Sequence, residues 1–107
     1  MNKPTSTDIE VVWSKYIADL MGGKAEHRLS DGTRVDVLLP TIAIEVEWIK
    51  KWKGGIGQAL HYGIMTNRAP CLILLTRGKP REKVYIETAK KVCDKTGIAL
   101  ITWKTFE

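Results

Sequence analysis

Histidine and cysteine are scarce in this chain, and their scarcity removes whole classes of chemistry. Cysteine occurs at 71 and 93 and histidine at 27 and 61, and none of the four stands at zinc-ligand spacing. There is no Cys-x-x-Cys pair, so a thioredoxin-type redox motif is excluded. Cys71 and Cys93 sit inside apolar patterns, where they read as small core residues in a reducing cytoplasm. No apolar run approaches the ~20 residues of a membrane span. Residues Met1 to Asp8 carry no signal-peptide apolar region. Internal repeats, linkers and low-complexity segments are also missing. The expectation is one cytoplasmic domain over 1–107 with a single modest core and no membrane partner.

What the chain does have is an excess of positive charge and one unusual acidic stretch. Seventeen Lys and Arg against twelve Asp and Glu leave a net charge of +5, which favours an anionic partner, nucleic acid before others. Against that background, Arg34-Val35-Asp36-Val37 and Ala43-Ile44-Glu45-Val46-Glu47-Trp48 both alternate apolar and polar residues, the period of a β-strand. Ile42, Ile44, Val46 and Trp48 share one face of the second strand, with Glu45 and Glu47 on the other. Val35, Val37 and Leu39 share a face of the first, and Asp36 points away. The short Pro40-Thr41 link makes the two strands neighbours. If Asp36 falls on the side of Glu45 and Glu47, three carboxylates converge, which is unfavourable without a cation or a shared proton. Hard oxygen donors on a rigid sheet suit Mg²⁺ or Mn²⁺. The simpler account is a solvated sheet face.

The remaining elements follow from periodicity. A first helix is expected over 8–21, with Ile9, Val12, Trp13, Tyr16, Ile17, Leu20 and Met21 as its apolar stripe. Thr7 and Glu10 match a capping box, and Gly22-Gly23 supplies the stop. Lys24 to Leu29 reads as a strand with Ala25, His27 and Leu29 inward and Glu26 outward. Ser30-Asp31-Gly32-Thr33 is a hairpin signal, because Asp-Gly tolerates the positive φ of a tight turn. Lys50-Lys51-Trp52-Lys53-Gly54-Gly55 reads as a basic loop. Its lysines could neutralise phosphates and an exposed Trp52 could stack on an unpaired base; the alternative is a turn anchored in the core by Trp48 and Trp52. A second helix over 56–67 carries Ile56, Ala59, Leu60, Gly63 and Ile64 inward, with Gln58 and Tyr62 stacked one turn apart. Cys71 to Leu75 is a buried central strand, and Arg77-Gly78-Lys79-Pro80-Arg81 a second basic loop. A third helix over 81–95, with Val84, Tyr85, Ala89, Val92 and Cys93 inward, leads to a last strand over 98–103. The fold class is thus a three-layer α/β domain with a mixed sheet, in the order α-β-β-β-α-β-α-β: a meander first, then strand-helix-strand crossovers.

On these residues the chain resembles the PD-(D/E)XK nuclease superfamily. The order helix-strand-strand-strand-helix-strand over residues 8–76 is that of its restriction-endonuclease-like core. Asp36 matches the first acidic position, Glu45-Val46-Glu47 stands where (D/E)-x-K belongs, and Gln58-Ala59-Leu60-His61-Tyr62 looks like the Q-x-x-x-Y motif of the RecB-like branch. The resemblance implies that Asp36 and Glu45 bind Mg²⁺ or Mn²⁺ with the Val46 carbonyl, and that Glu10 is the acidic residue many members carry on their first helix. It further implies that Gln58 orients a water or a phosphate and that Tyr62 braces the site.

One position departs from the pattern, for Glu47 replaces the family's lysine. Glu47 then serves as general base or additional metal ligand, or Lys51 or Lys53 folds back to take the role, which requires the chain to turn after Trp48. The function expected is metal-dependent hydrolysis of DNA phosphodiesters in a phage, repair or recombination system, with Lys50, Lys51, Trp52, Lys53, Arg77 and Lys79 as the DNA-binding residues. The alternative is a catalytically inactive module of the same fold that binds nucleic acid or a protein. A domain with one basic face and two strands to cut is expected to pair as a two-fold homodimer.

Overall fold

Asp31 and Gly32 set the register of the first half of the sheet. Gly32 adopts φ +88°, the Asp31 carboxylate accepts the Thr33 N–H at 2.9 Å, and the Leu29 N–H donates to the Thr33 carbonyl at 2.8 Å. The chain folds back as an Asp-Gly turn should. In the computed structural model, which describes residues 2–106, this turn joins β1 (Lys24–Arg28) to β2 (Arg34–Leu38), and β3 (Ile42–Trp48) follows. β4 (Ala69–Thr76) and β5 (Ala99–Lys104) complete a five-stranded sheet in the order β1-β2-β3-β4-β5. β1, β2 and β3 pair antiparallel, whereas β3 with β4 and β4 with β5 run parallel. Both features of the expected mixed sheet are present.

Three helices cover the sheet: α1 (Glu10–Met21), α2 (Trp52–Thr66) and α3 (Glu82–Thr96), with a 3-10 turn at Ile49–Lys51 before α2. Alternation along β4 divides the core. Cys71, Ile73 and Leu75 pack with Trp13, Ile17 and Ala18 of α1, while Leu72 and Leu74 pack with Ile56 and Ala59 of α2 and Ala89 and Cys93 of α3. Successive crossovers of one hand advancing in one direction place their helices on the same face, so α2 and α3 lie together and α1 opposes them. Both cysteines are free and buried. Among the described residues, no helix is long and apolar enough to cross a membrane.

Several sequence expectations are corrected. The Thr7–Glu10 capping box does not form: α1 starts at Glu10, and its N-cap, Ile9, makes no side-chain cap bond. The Thr5 N–H instead donates to Asp8 at 2.7 Å, closing a separate turn. Glu10 is thereby released from a structural role. The buried face of α1 is Trp13, Ser14, Ile17 and Ala18, while Ile9, Val12, Leu20 and Met21 are exposed. The narrower contact arises because the small Ala18 and Ser14, whose hydroxyl donates to the Glu10 carbonyl, let the helix approach the strands closely. α2 starts at Trp52, four residues before the expected 56, because Trp52 is pinned in the core at 7 % exposure. Ile64, placed inward from the pattern, is 78 % exposed, and Val84 is 64 % exposed. Each helix meets a sheet along one stripe only, and these residues fall outside it.

Candidate functional site

The site begins where the β2–β3 ladder breaks. Val37 pairs with Ile44 and Leu38 with Ala43; one step further, Asp36 falls opposite Glu45. There the Asp36 Oδ2 accepts the Val46 N–H at 2.8 Å, so a carboxylate occupies the place of a strand bond. A strand residue's N–H and C=O point to the same edge, and the Val46 carbonyl therefore faces this gap too. The other flank is distorted at the same level. Glu26, opposite Asp36 between the Ala25–Val37 and His27–Val35 pairs, adopts a left-handed φ of +53°. That conformation costs a residue with a Cβ about 1–2 kcal/mol, and it leaves Glu26 lining the same cavity as Asp36.

Five carboxylates consequently line one cavity of about 250 Å³: Glu10, Glu26, Asp36, Glu45 and Glu47, with Arg34, Val46 and Gln58. Glu45 is only 2 % exposed. Burial foremost, then a hydrogen bond and repulsion from Asp36 and the charges of Glu47 and Glu10, raise its pKa far above the carboxylate range. Glu47 is pushed up to about 8, first by burial and then by its bond to Glu10, with the Trp48 N–H and the Lys51 charge opposing. Glu26 is raised by burial and by Asp36. Burial therefore favours the protonated form of Glu45 and Glu47, each of which has a carboxylate neighbour, Asp36 and Glu10 respectively. Even so, Glu45 Oε1 and Glu10 Oε2 are buried without any hydrogen-bond partner. Leaving a buried acceptor unpaired costs about 1–3 kcal/mol.

Helix α2 supplies the opposite wall. The Tyr62 hydroxyl donates to Gln58 Oε1 at 3.0 Å, which leaves the Gln58 amide N–H groups free to face an acceptor in the cleft. Tyr62 is buried beneath, against Val35 and Ala43. The end of α2 is tied to the hairpin by His61 and Asp31, 2.7 Å apart.

Glu10, Asp36, Glu45, Val46, Glu47 and Gln58, all singled out from sequence, come together here, with Tyr62 behind them. Lys50, Lys51 and Lys53 line an adjoining cleft that shares Glu10, Glu47 and Gln58. The chain does turn after Trp48, through Ile49–Lys51 into α2, so Lys51 comes near enough to act on Glu47 electrostatically. Trp52 is corrected: buried among Leu72, Leu74 and Ala89, it is no platform for a base. Lys53 sits 5.7 Å from its ring centroid. Arg77 lies 3.6 Å above the Trp48 ring, and Lys79 is exposed on the β4–α3 loop. Sequence reading gave Glu26, Arg34 and Glu82 no role at a site, and read Arg81 only as the end of the second basic loop. Glu26 was recoverable, because the Asp31-Gly32 turn pairs it with Asp36; Arg34 and Glu82 carried no signal.

The donor set fits a divalent cation. All its donors are oxygens, two of the carboxylate oxygens are buried and unpartnered, and the Val46 carbonyl faces the gap. Among the described residues, no three His, Cys, Asp or Glu side chains converge on one point; an ion that retains several waters, as Mg²⁺ does, needs only one or two carboxylates from the protein. Comparison of the chain with family models, curated proteins and solved structures gives no match.

Proposed function

We propose that this protein is a Mg²⁺- or Mn²⁺-dependent deoxyribonuclease with a restriction-endonuclease-like core of the PD-(D/E)XK type. The observation that carries the reading is the buried Glu45 carboxyl beside Asp36, with an unpartnered oxygen, in a gap of the sheet that adjoins a cleft lined by Lys50, Lys51 and Lys53. A protein interior does not retain such a group without a compensating partner.

Asp36, Glu45 and the Val46 carbonyl are the donors that would hold the ion, with Glu10 at the edge. A divalent ion there lowers the pKa of bound water and offsets charge on a phosphate under attack. The chain's own groups supply the rest. Gln58, oriented by Tyr62, presents amide N–H donors to a phosphate or water oxygen. Glu47, whose pKa of about 8 lies near neutral pH, is matched to accept a proton from water. Lys50, Lys51 and Lys53 hold the substrate's phosphates by charge.

The test is cleavage of plasmid and oligonucleotide DNA in Mg²⁺ and in Mn²⁺. Asp36→Ala and Glu45→Ala should each abolish it while preserving the fold; a variant cleaving like the parent overturns the assignment. A second reading, a non-catalytic module that binds nucleic acid or protein, is favoured by Glu47 in the lysine position and by the lack of a three-side-chain ligand set among the described residues. Calorimetry showing no binding of Mn²⁺ at millimolar concentration would select it.

A further inference from the structure

Beyond the carboxylates, at the carboxyl ends of β3 and β4, lies a second cleft. In open α/β sheets, the crevice beyond the carboxyl ends of parallel strands is where ligands bind. This one has a volume of about 400 Å³ and is lined by Lys50, Arg77, Lys79, Arg81 and Glu82, with Pro80 at its wall. Lys50 also lines the cleft containing Glu10, Glu47 and Gln58, so the two run into one another.

Among the described residues, none of the four cations lies within 4.0 Å of a carboxylate oxygen; the contact of that kind is His61 with Asp31. Glu82, 5 % exposed, is occupied by backbone: the N–H groups of Arg77 and Lys79 donate to its carboxylate at 3.0 Å. The loop is therefore held in shape from within. Gly78, at φ +78°, packs so tightly that a Cβ there would stand 2.7 Å from the Phe106 ring. Arg77 is fixed by its stacking on Trp48 and by its Nε donating to the Ser6 carbonyl at 3.0 Å. Four like charges converging on a rigid cleft repel one another, and an anion relieves that repulsion.

We propose that this cleft is a preformed phosphate seat. It holds a phosphate of the nucleic acid strand whose scissile bond lies at the carboxylates, so it rests on the nuclease reading. Because Arg77 and the loop backbone are already held, their ordering adds no cost on binding. The seat fixes the path of the strand: from the Asp36–Glu45 gap, past Lys51 and Lys50, to the β4–α3 loop.

The experiment uses the full chain without metal, so that no cleavage occurs. Fluorescence anisotropy follows binding of a labelled single-stranded 12-mer, with and without a 5′-phosphate, across a range of salt. The Lys79→Gln/Arg81→Gln double variant should weaken binding on the order of tenfold, and should lower the slope of log K against log[salt] by about 0.7, the value for one phosphate contact on a single strand. Lys90→Gln/Lys91→Gln, which removes the same charge from the exposed side of α3, should shift affinity less than about twofold. A stronger effect on the 5′-phosphorylated strand identifies the occupant as a terminal phosphate; an equal effect on both identifies an internal phosphodiester. Parental affinity and slope in the Lys79/Arg81 variant overturn the seat, as does an equal loss in the Lys90/Lys91 control. If the double variant loses binding but the parent never cleaves with metal, the nuclease reading fails and the seat stands. If the parent cleaves and the double variant matches it in affinity, slope and KM, the seat fails and the nuclease reading stands.

Discussion

Replacing Glu45 with Gln should make the metal-free protein more stable and the metal-loaded protein no more stable than the metal-free one. In the parent, Glu45 is buried with Oε1 unpartnered beside Asp36. The folded chain retains protons on Glu45 and Glu47 that an unfolded chain releases near the ordinary 4.5. Stability from these groups is thus fully present below about pH 4.5 and declines as the pH rises, the Glu47 share being lost through about 8. Gln at 45 is nearly isosteric, binds no proton and can donate its amide N–H to Asp36. It also removes the proton uptake that opposes folding above pH 4.5, so at pH 8 its melting temperature should exceed the parent's, by roughly 4–8 °C for each kcal/mol relieved in a domain near this size. Mn²⁺ should reverse the ranking. An ion present at a hundred times its Kd adds about 2.7 kcal/mol to the parent, whereas the variant, lacking a ligand, should gain little. Differential scanning calorimetry between pH 5 and 9, with and without Mn²⁺, measures all three quantities. A parent melting temperature insensitive to Mn²⁺, an equal shift in the variant, or a metal-free variant less stable than the parent would refute the reasoning.

Two further outcomes follow from the geometry. If Glu47 is the working base, Glu47→Gln should slow cleavage on the order of 10²-fold or more and Lys51→Ala should be mild; if Lys51 supplies the missing lysine, the two effects exchange. Rates measured for both variants in Mg²⁺ decide, and near-parental rates for both would sink either role. Gly54→Ala and Gly57→Ala should each raise stability by about 0.5–1 kcal/mol, because both lie in α2 with nothing within 4 Å of a new Cβ. Gly55→Ala should lower it, since its Cβ would stand 2.9 Å from Leu72. Urea midpoints check the set, and a stabilising Gly55→Ala would contradict the packing of α2 on β3.

The local rules written along the chain were enough for the architecture. The Asp31-Gly32 turn, the two-residue alternation around Asp36 and Glu45, and the continuous apolar run of Cys71 to Leu75 specify strands whose order and pairing leave few arrangements. They also put Asp36, Glu45 and Glu47 on adjacent strands, and the four-residue spacing put Gln58 beside Tyr62. These are short-range relations, and a period of 2 or 3.6 is legible without a partner. What the tertiary structure alone decided depends on which surfaces meet. Ile9, Val12, Ile64 and Val84 fit an apolar stripe, but a sheet contacts a helix over a limited arc and leaves them outside. Trp52 sits in a string of lysines and reads equally as a stacking platform or a core anchor; the space between α2, α3 and β4 buries it and so starts the helix early. Glu10 fitted both a cap and, through the resemblance, the site; the structure leaves it out of any cap and on the wall of the cavity, because the chain before it closes a turn of its own. The environment of Glu45 was the least legible. Its raised pKa comes first from burial and then from Asp36, Glu47 and Glu10, brought near it by β2, β3 and α1, and desolvation depends on that assembled volume rather than on neighbours in sequence.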